Sequence, residues 1–259
     1  MNQSVPFKDN YDLVKLLSKF SNIVLYISTF ILIIAFIIIN FASQYSSFSK
    51  FLIKANCILV IIYIALSIIL DYLLFIARKK KRLDLIDNAF GTSMTTEQSY
   101  GYFTNEHVKP GIYKLAVNSF ENTHFSLNIG KAMLLKTILL NTFILLLFLI
   151  SAIYGLNNLV VFIIQLSLAT IMLKGIVKLI LYVSFLENVY LKYCSLFDDL
   201  KDLESNKIIK IPAMISNILE YESILSWANI LLSEGKYNEL NVKLSLKWEE
   251  IKKKYKIIS

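Results

Sequence analysis

Four long runs of apolar residues dominate the pattern of the chain. They lie at about 22–42, 55–77, 132–154 and 158–181. A helix needs roughly 20 apolar residues to cross a bilayer, and each run reaches that length. A soluble bundle would have to hide all four runs with too little polar chain to cover them. The pattern therefore predicts four transmembrane helices.

The composition agrees with a membrane protein. The 259 residues have a mean hydropathy of +0.58, and 56% of them are hydrophobic. The net charge of +8 would suggest nucleic acid as the partner of a soluble protein. Here Lys and Arg flank the apolar runs, so we expect no direct DNA binding. The two cysteines give neither a disulfide framework nor a metal-ligand spacing, and we expect no metal and no cofactor.

The distribution of positive charge predicts the topology. Five cations in a row, RKKKR at 78–82, follow the second run. The connection at 43–50 carries one lysine, and the turn at 155–158 carries no charge. Because positively charged connections stay in the cytoplasm, both termini and the segment 78–131 are predicted to be cytoplasmic.

We therefore expect an all-α polytopic membrane protein with four transmembrane helices in two hairpins, a helical cytoplasmic insert and a helical C-terminal tail. The leader before the first run carries apolar residues on one helical face, which fits a short interfacial helix, but a helical leader with no separate role is the favoured interpretation. The expected segments are the leader 1–21, hairpin 1 at 22–77, the insert 78–131, hairpin 2 at 132–181 and the tail 182–259.

The insert opens with a continuation of the second helix. Apolar residues recur at helical spacing after the five cations, and Gly91 is the expected stop. Asp84 and Asp87 lie on the opposite face of this helix. Two carboxylates at that spacing are expected to form a solvated face, and a Mg²⁺ site through water is the less favoured alternative.

The stretch from Thr92 to His107 is rich in hydroxyls and aromatic rings, and the sequence gives no structural need for it. It suits a loop, and it also suits ligand binding, with rings stacked on a base and hydroxyls or cations on phosphates. No glycine-rich phosphate motif supports this second interpretation, and a stop-transfer role alone accounts for the five cations. The candidate ligand-binding residues are Arg78, Lys79, Arg82, Thr92, Thr95, Tyr100, Tyr102, Asn118 and Glu121.

No catalytic residues are predicted. His107 and His124 are expected on the surface or at a helix end, because neither has a Cys, Ser or metal-ligand partner at a recognised spacing. We therefore do not expect an enzyme. A helix is predicted after Pro110, and its inward side chains are expected to be Ile112, Leu115, Phe120 and Leu127.

Three ionisable residues of the predicted spans are candidates for a charge pair within the membrane. Asp71 lies seven residues before Arg78, roughly 10 Å inside the cytoplasmic boundary. Lys136 and Lys174 lie at a similar depth in the third and fourth runs. Buried membrane charges normally pair, so Asp71 is expected to pair with one of these lysines. The alternative is that both lysines extend to the interface and only Asp71 needs a partner.

The tail is predicted to be helical. The fourth span is expected to continue without a break into the cytoplasm, followed by a helix beyond Pro212 that ends at Gly235. A last helix is expected after Ser245 as its cap, with Trp248 on its apolar side. These apolar faces predict a core or a self-association surface.

The plan of two hairpins and a cytoplasmic insert, with LIDNAFGTSMT after the second span and EYESILSWANILLSEGKYNELNVKLSLKWEEIKKKY at the end, resembles the SMODS-associated four-transmembrane effectors of bacterial antiphage systems. The resemblance implies a homo-oligomeric, pore-forming effector of the bacterial inner membrane. It also implies activation by a cyclic nucleotide or oligonucleotide from a partner nucleotidyltransferase. The alternative hypothesis is a non-conducting membrane scaffold that recruits a soluble partner through its C-terminal helices. A small transporter subunit is less favoured, because no internal repeat marks a midplane site.

Overall fold

The computed structural model describes residues 7–97, 99, 102–103, 105–154, 159–201 and 208–257, without the side chains of 40, 43, 147–148, 150–154 and 159–168. Two features predicted from the sequence, Tyr100 and the turn at 155–158, lie outside the described residues.

The described part of the chain is all-α, as predicted, with no strand among these residues. The short connection before the second helix is a 3-10 turn, Ser43–Tyr45. The six α-helices are α1 Lys8–Phe41, α2 Ser46–Phe90, α3 Ile112–Tyr154, α4 Leu159–Leu200, α5 Ile211–Ala228 and α6 Glu234–Lys254.

Four helices, α1 to α4, are long and apolar enough to cross a membrane. With 45, 43 and 42 residues, α2, α3 and α4 each extend over about 65 Å at 1.5 Å per residue. A hydrocarbon core is only about 30 Å thick. Each of these three helices therefore has length for a second segment beyond its span, and the chain is a multi-pass membrane protein.

The chain divides into two compact units. One, here called the helical body, consists of Met1–Asp9, Phe75–Lys136 and Lys178–Ser259. The other, the span unit, consists of Asn10–Leu74 and Thr137–Val177. The insert and the tail, which are far apart in sequence, thus belong to one body. Helices α2, α3 and α4 each contribute residues to both units.

In the span unit, α1 and α2 are joined by a buried polar contact. Ser28 Oγ donates a hydrogen bond of 2.7 Å to Asn56 Oδ1, and both residues are buried. The leader does not form a separate interfacial helix, because α1 runs unbroken from Lys8 to Phe41. No Gly or Pro interrupts this stretch, so nothing in the sequence ends the helix where the membrane span begins.

The helical body has an aromatic core centred on Phe120 of α3. Its ring centroid lies 5.3 Å from those of Tyr193 and Phe197 on α4 and of Trp248 on α6. All four residues are buried. The inward positions predicted for α3 are confirmed at Phe120, and also at Leu115 and Leu127. The insert and the tail therefore share one hydrophobic core.

The ends of α5 and α6 differ from the sequence predictions. Helix α5 ends at Ala228 rather than at Gly235, because Asn229 adopts the left-handed conformation with φ of 46°. Helix α6 begins at Glu234, where Ser233 Oγ accepts a hydrogen bond from Lys236 N. Ser245, the expected cap, lies inside this helix. Asparagine substitutes here for the glycine that usually ends a helix, which the periodic pattern does not show.

Candidate ligand site in the insert

The insert loop is held by the last turn of α2. The helix stops at Phe90, and Gly91 takes a φ of 69° that few other residues tolerate. Gly91 N then donates a hydrogen bond of 2.8 Å to Asp87 O. The stop predicted at Gly91 is confirmed, and the chain turns back over the end of α2.

Asp87 fixes the beginning of this loop. Thr92 Oγ1 and Met94 N each donate a 2.7 Å hydrogen bond to Asp87 Oδ1. Thr95 donates to Oδ2 through both its backbone N, at 2.8 Å, and its Oγ1, at 2.7 Å. Burial tends to raise the pKa of the Asp87 carboxyl, but the four hydrogen bonds outweigh it and lower this pKa to about 2. The carboxylate therefore stays ionised at neutral pH and acts as the organising centre of the loop.

Asp84 fixes a later point of the same loop. Its carboxylate accepts hydrogen bonds from Ser99 N at 2.8 Å and Ser99 Oγ at 2.5 Å. Asp84 and Asp87 are each only 3% exposed, so the expected solvated face was wrong. The loop hydroxyls supply the donors that water would otherwise provide. The stretch after Thr92 thus has a structural role that the sequence did not show.

Two candidate residues, Asn118 and Glu121, lie together in a polar cluster. Asn105 Nδ2 donates to Asn118 Oδ1 at 2.9 Å and to Glu121 Oε2 at 2.7 Å. Asn118 Nδ2 in turn donates to Asn88 Oδ1 at 2.9 Å. The cluster joins α2, the loop and α3. Asn105 is completely buried, and its Oδ1 has no hydrogen-bond partner among the described residues.

The aromatic candidate Tyr102 lies among other rings. It makes edge-on contacts with Phe7, at 5.4 Å between centroids, and with Phe103, at 5.0 Å. Phe103 packs against the cluster of Leu85 and Ala89 on α2. Tyr102 therefore lies at the junction of the N-terminal segment and the loop, with part of its ring covered by protein.

The cationic candidates divide into two groups. Arg78 donates hydrogen bonds to the carbonyl of Leu225, to Asn229 Oδ1 at 3.1 Å and to the carbonyl of Ile230 at 2.6 Å. Arg82 donates hydrogen bonds to two side chains of α5, Glu222 Oε2 at 2.7 Å and Ser226 Oγ at 3.2 Å. Lys79 is exposed. The C-terminal end of a helix carries partial negative charge, which suits a guanidinium. Two of the three cations therefore bind the tail.

The sequence predicted that His124 lies on the surface or at a helix end, and this prediction was wrong. His124 is 1% exposed and lies in the aromatic core, with ring centroids 5.9 Å from Tyr190 and 6.4 Å from Trp248. Burial, and secondarily the nearby Lys247, lower its pKa to about 4. The imidazole is therefore neutral at pH 7. The sequence did not show that His124 lies on the apolar face of α3, because the residues on either side of His124 are mixed in polarity.

The three candidates for the intramembrane charge pair, Asp71, Lys136 and Lys174, all have exposed side chains. Exposure here means contact with whatever surrounds the spans, lipid or another subunit. The pairing of Asp71 with one of the lysines stays a prediction.

Sequence reasoning missed Asn105 and Glu222 as organising residues. Asn105 joins the loop to α3, and Glu222 accepts the hydrogen bond of Arg82. The one local signal available was the placement of hydroxyl and backbone donors five to eight residues after Asp87. A carboxylate at a helix end followed by such donors is a common way to close a loop.

No family model, no curated protein and no solved structure matches this chain. The resemblance to the four-transmembrane effectors therefore stays a prediction.

Proposed function

We propose that this protein is a membrane effector that assembles into oligomers and permeabilises the bacterial inner membrane when its cytoplasmic body receives a nucleotide signal. Four apolar helices per chain are too few to enclose a wide pore, so permeabilisation requires several copies. The signal proposed is a cyclic nucleotide or oligonucleotide made by a partner nucleotidyltransferase.

The observation that carries the proposal is the continuity of α2, α3 and α4. Each helix has one part in the span unit and another in the helical body. No Gly or Pro lies between Ser46 and Phe90 of α2 to uncouple the two parts, while Gly130 and Gly175 lie inside α3 and α4 without ending them. A helix without such a break transmits a tilt or rotation along its whole length. A change in the packing of the body therefore reaches the spans directly.

The polar cluster of Asn88, Asn105, Asn118 and Glu121 is the proposed receiver of the signal. It joins two of the three continuous helices, α2 and α3, through the loop. Its buried amides have the donors and acceptors that recognise the edge of a base. A ligand that changed these hydrogen bonds would alter the contact between the two helices.

A second candidate function, the membrane scaffold, is favoured by the outer face of α5. Ile215 and Leu219 of this helix are large apolar residues with exposed side chains, and so are Ile208 and Ile209 just before the helix begins. Exposed apolar surface of this kind is typical of protein-binding sites. The buried face of α5 is unavailable to a partner, since Met214 and Tyr221 lie in the core of the body.

Membrane potential separates the two functions. The full chain is expressed from an inducible promoter in cells that carry a potential-sensitive dye, with and without the candidate nucleotidyltransferase. An effector depolarises the cells and arrests growth when the signal is present. An unrelated four-span membrane protein at equal expression is the control for overloading the membrane.

The variant Asn118→Leu tests the proposed receiver in the same assay. It is expected to insert and fold, with the midpoint of thermal unfolding lowered by the lost hydrogen bonds, and to lose its response to the signal. Lys243→Met, which changes an exposed residue of α6, is the matched control and should respond like the parent. A folded, membrane-inserted parent protein that leaves the potential unchanged under every condition excludes the effector function.

A further inference from the structure

The connection between α5 and α6, residues 229–233 and here called the tail loop, contacts two helices at the ends of their apolar runs. Arg78 is the first residue after the apolar run of α2, and it donates a hydrogen bond of 2.6 Å to the carbonyl of Ile230. Met133 is the second residue of the apolar run of α3, and its Sδ accepts a hydrogen bond of 3.3 Å from Ser233 N. Both ends of the tail loop therefore lie at the level where these two helices are predicted to meet the bilayer surface.

A third helix, α4, reaches the same level. Its apolar run ends at about residue 181, and Phe185 follows this end by four residues, or roughly 6 Å along the helix. The ring centroid of Phe185 lies 5.7 Å from that of Trp227, in the last turn of α5. Contacts with α2, α3 and α4 thus agree that the end of α5 and the tail loop lie beside the predicted bilayer surface.

Two large aromatic side chains are exposed at this level. Trp227 is 48% exposed and Phe185 is 39% exposed, whereas Trp248 in the core of the body is 1% exposed. In water the two exposed rings would leave apolar surface hydrated, which is unfavourable. At the edge of a bilayer the same rings meet acyl chains, while the indole N–H of Trp227 reaches water or headgroup oxygens. Tryptophan is enriched at this depth of membrane proteins for that reason.

The charge at this level also fits a lipid surface. Lys79 and Lys80 are exposed and directly follow Arg78 on α2. Glu187, two residues after Phe185, pairs with Lys131 at 2.5 Å, so its negative charge is balanced. Anionic headgroups attract lysine and arginine side chains near the membrane surface. The same positively charged surface on a second copy of the chain would instead be repelled.

We propose that Trp227 and Phe185 insert into the headgroup region of an anionic bilayer and anchor the tail to the membrane surface. The partner of this surface is the lipid leaflet next to the helical body. The anchor adds a contact with the bilayer to the four spans, because it lies in the tail, beyond the end of the fourth span. It goes beyond the proposed function, since it requires neither a nucleotide nor a pore and applies equally to an effector and to a scaffold.

Tryptophan fluorescence of the full chain in lipid nanodiscs tests the anchor. The lipids are phosphatidylethanolamine and phosphatidylglycerol, with or without bromine atoms near the headgroup end of their acyl chains, and acrylamide is the quencher in water. Brominated lipid is expected to quench part of the emission of the parent protein, and Trp227→Phe should remove most of this quenching. Trp248 remains in this variant, and its ring meets that of Phe120. Phe120 lies 13 residues before Met133 on α3, about 20 Å along the helix, so Trp248 is beyond the reach of the bromine atoms.

Leu246→Trp, made in the Trp227→Phe protein, is the matched control. Leu246 is 64% exposed and lies on α6 two residues before Trp248, at a similar distance from the tail loop. The indole introduced at this position should be quenched by acrylamide and not by brominated lipid. This control shows that an exposed tryptophan of the body responds to the water-soluble quencher under the same conditions.

Three outcomes would overturn the anchor. If acrylamide quenches Trp227 as strongly as the indole at position 246 and brominated lipid has no effect, Trp227 faces water. If neither quencher acts on Trp227, a protein surface such as a second copy of the chain covers it. If Trp227→Phe retains the quenching by brominated lipid, that quenching does not come from Trp227. Because no nucleotide and no membrane potential is involved, each outcome is independent of the depolarisation experiment.

Discussion

Arg82 Nε lies 2.7 Å from Glu222 Oε2, although 140 positions separate the two residues in sequence. One turn earlier on α2, Arg78 binds the carbonyl end of α5. These contacts, together with the packing of Ile218 against Leu85 and Ala89, fix α5 along α2. Two of the five cations after the second span, Arg78 and Arg82, therefore hold the tail in place in addition to their predicted role in topology.

Replacing Arg78 by Met is expected to lower the free energy of unfolding by about 2 kcal/mol. The change leaves the carbonyl groups of Leu225 and Ile230 without their donor. Lys79→Met is the control, because Lys79 is exposed, and it should change stability by less than about 0.5 kcal/mol. Thermal unfolding of the full chain in detergent, followed by circular dichroism, measures both. If both variants lower the free energy of unfolding equally, the hydrogen bonds of Arg78 to the end of α5 do not stabilise the protein.

Asp87→Asn is expected to release the beginning of the loop. The folded protein holds the Asp87 pKa at about 2, below its ordinary value of 3.8. This depressed pKa contributes roughly 2 kcal/mol that is present above pH 3.8 and is lost as the pH falls toward 2. Limited proteolysis at neutral pH should cut the variant in the loop near Thr92. Asp198→Asn, at an exposed carboxylate, should leave the proteolysis pattern unchanged.

His124 is expected to make stability depend on pH in a different range. Its pKa falls from 6.5 in the unfolded chain to about 4 in the folded protein. The unfolded chain then binds more protons between these values, so stability is full above pH 6.5 and declines by roughly 3 kcal/mol as the pH falls to 4.

The His124→Phe variant should lose this dependence while keeping the aromatic core filled. The chain has two histidines, and His107 is exposed. His107→Phe is therefore the control and should keep the pH dependence of the parent protein. The unfolding midpoint of each variant is measured at intervals between pH 7 and pH 4. A His124→Phe protein with the pH profile of the parent would assign the titration to another group.

Trp248→Ala is expected to be among the most destabilising substitutions in the body, at about 3 to 5 kcal/mol. Trp248 is 1% exposed and meets the ring of Phe120 edge-on at 5.3 Å. The other tryptophan, Trp227, is 48% exposed, so Trp227→Ala should cost much less. Fluorescence of each single-tryptophan protein reports the difference directly, because buried Trp248 should emit at shorter wavelength than Trp227. Similar emission maxima would contradict the burial of Trp248.

Asp71→Lys is expected to prevent correct assembly of the spans, because it replaces the predicted partner of a lysine with a second cation. A further change of Lys136→Asp or Lys174→Asp should restore part of the assembly and identify the partner. The amount of protein that resists extraction and proteolysis in membranes measures assembly. Behaviour of Asp71→Asn that is indistinguishable from the parent would contradict the pair.

Much of the fold followed from the pattern alone. The apolar runs determined the four long helices, and the period of apolar residues identified Phe120, Leu127 and Trp248 as inward positions. These are properties of single helices, which depend on neighbours three and four residues away. The stop at Gly91 was predictable for the same reason, since glycine acts through its own backbone.

The sequence by itself thus determined which segments are helices, which of them can cross a membrane and which faces are apolar. Only the tertiary structure decided that the insert and the tail form one body, that Asp84 and Asp87 face the loop rather than water, and that Arg78 and Arg82 bind α5. A charged side chain has the same local pattern whether its partner is water or a distant residue. The partner of a charged side chain depends on the packing of helices that are distant in sequence. The local sequence therefore does not identify this partner.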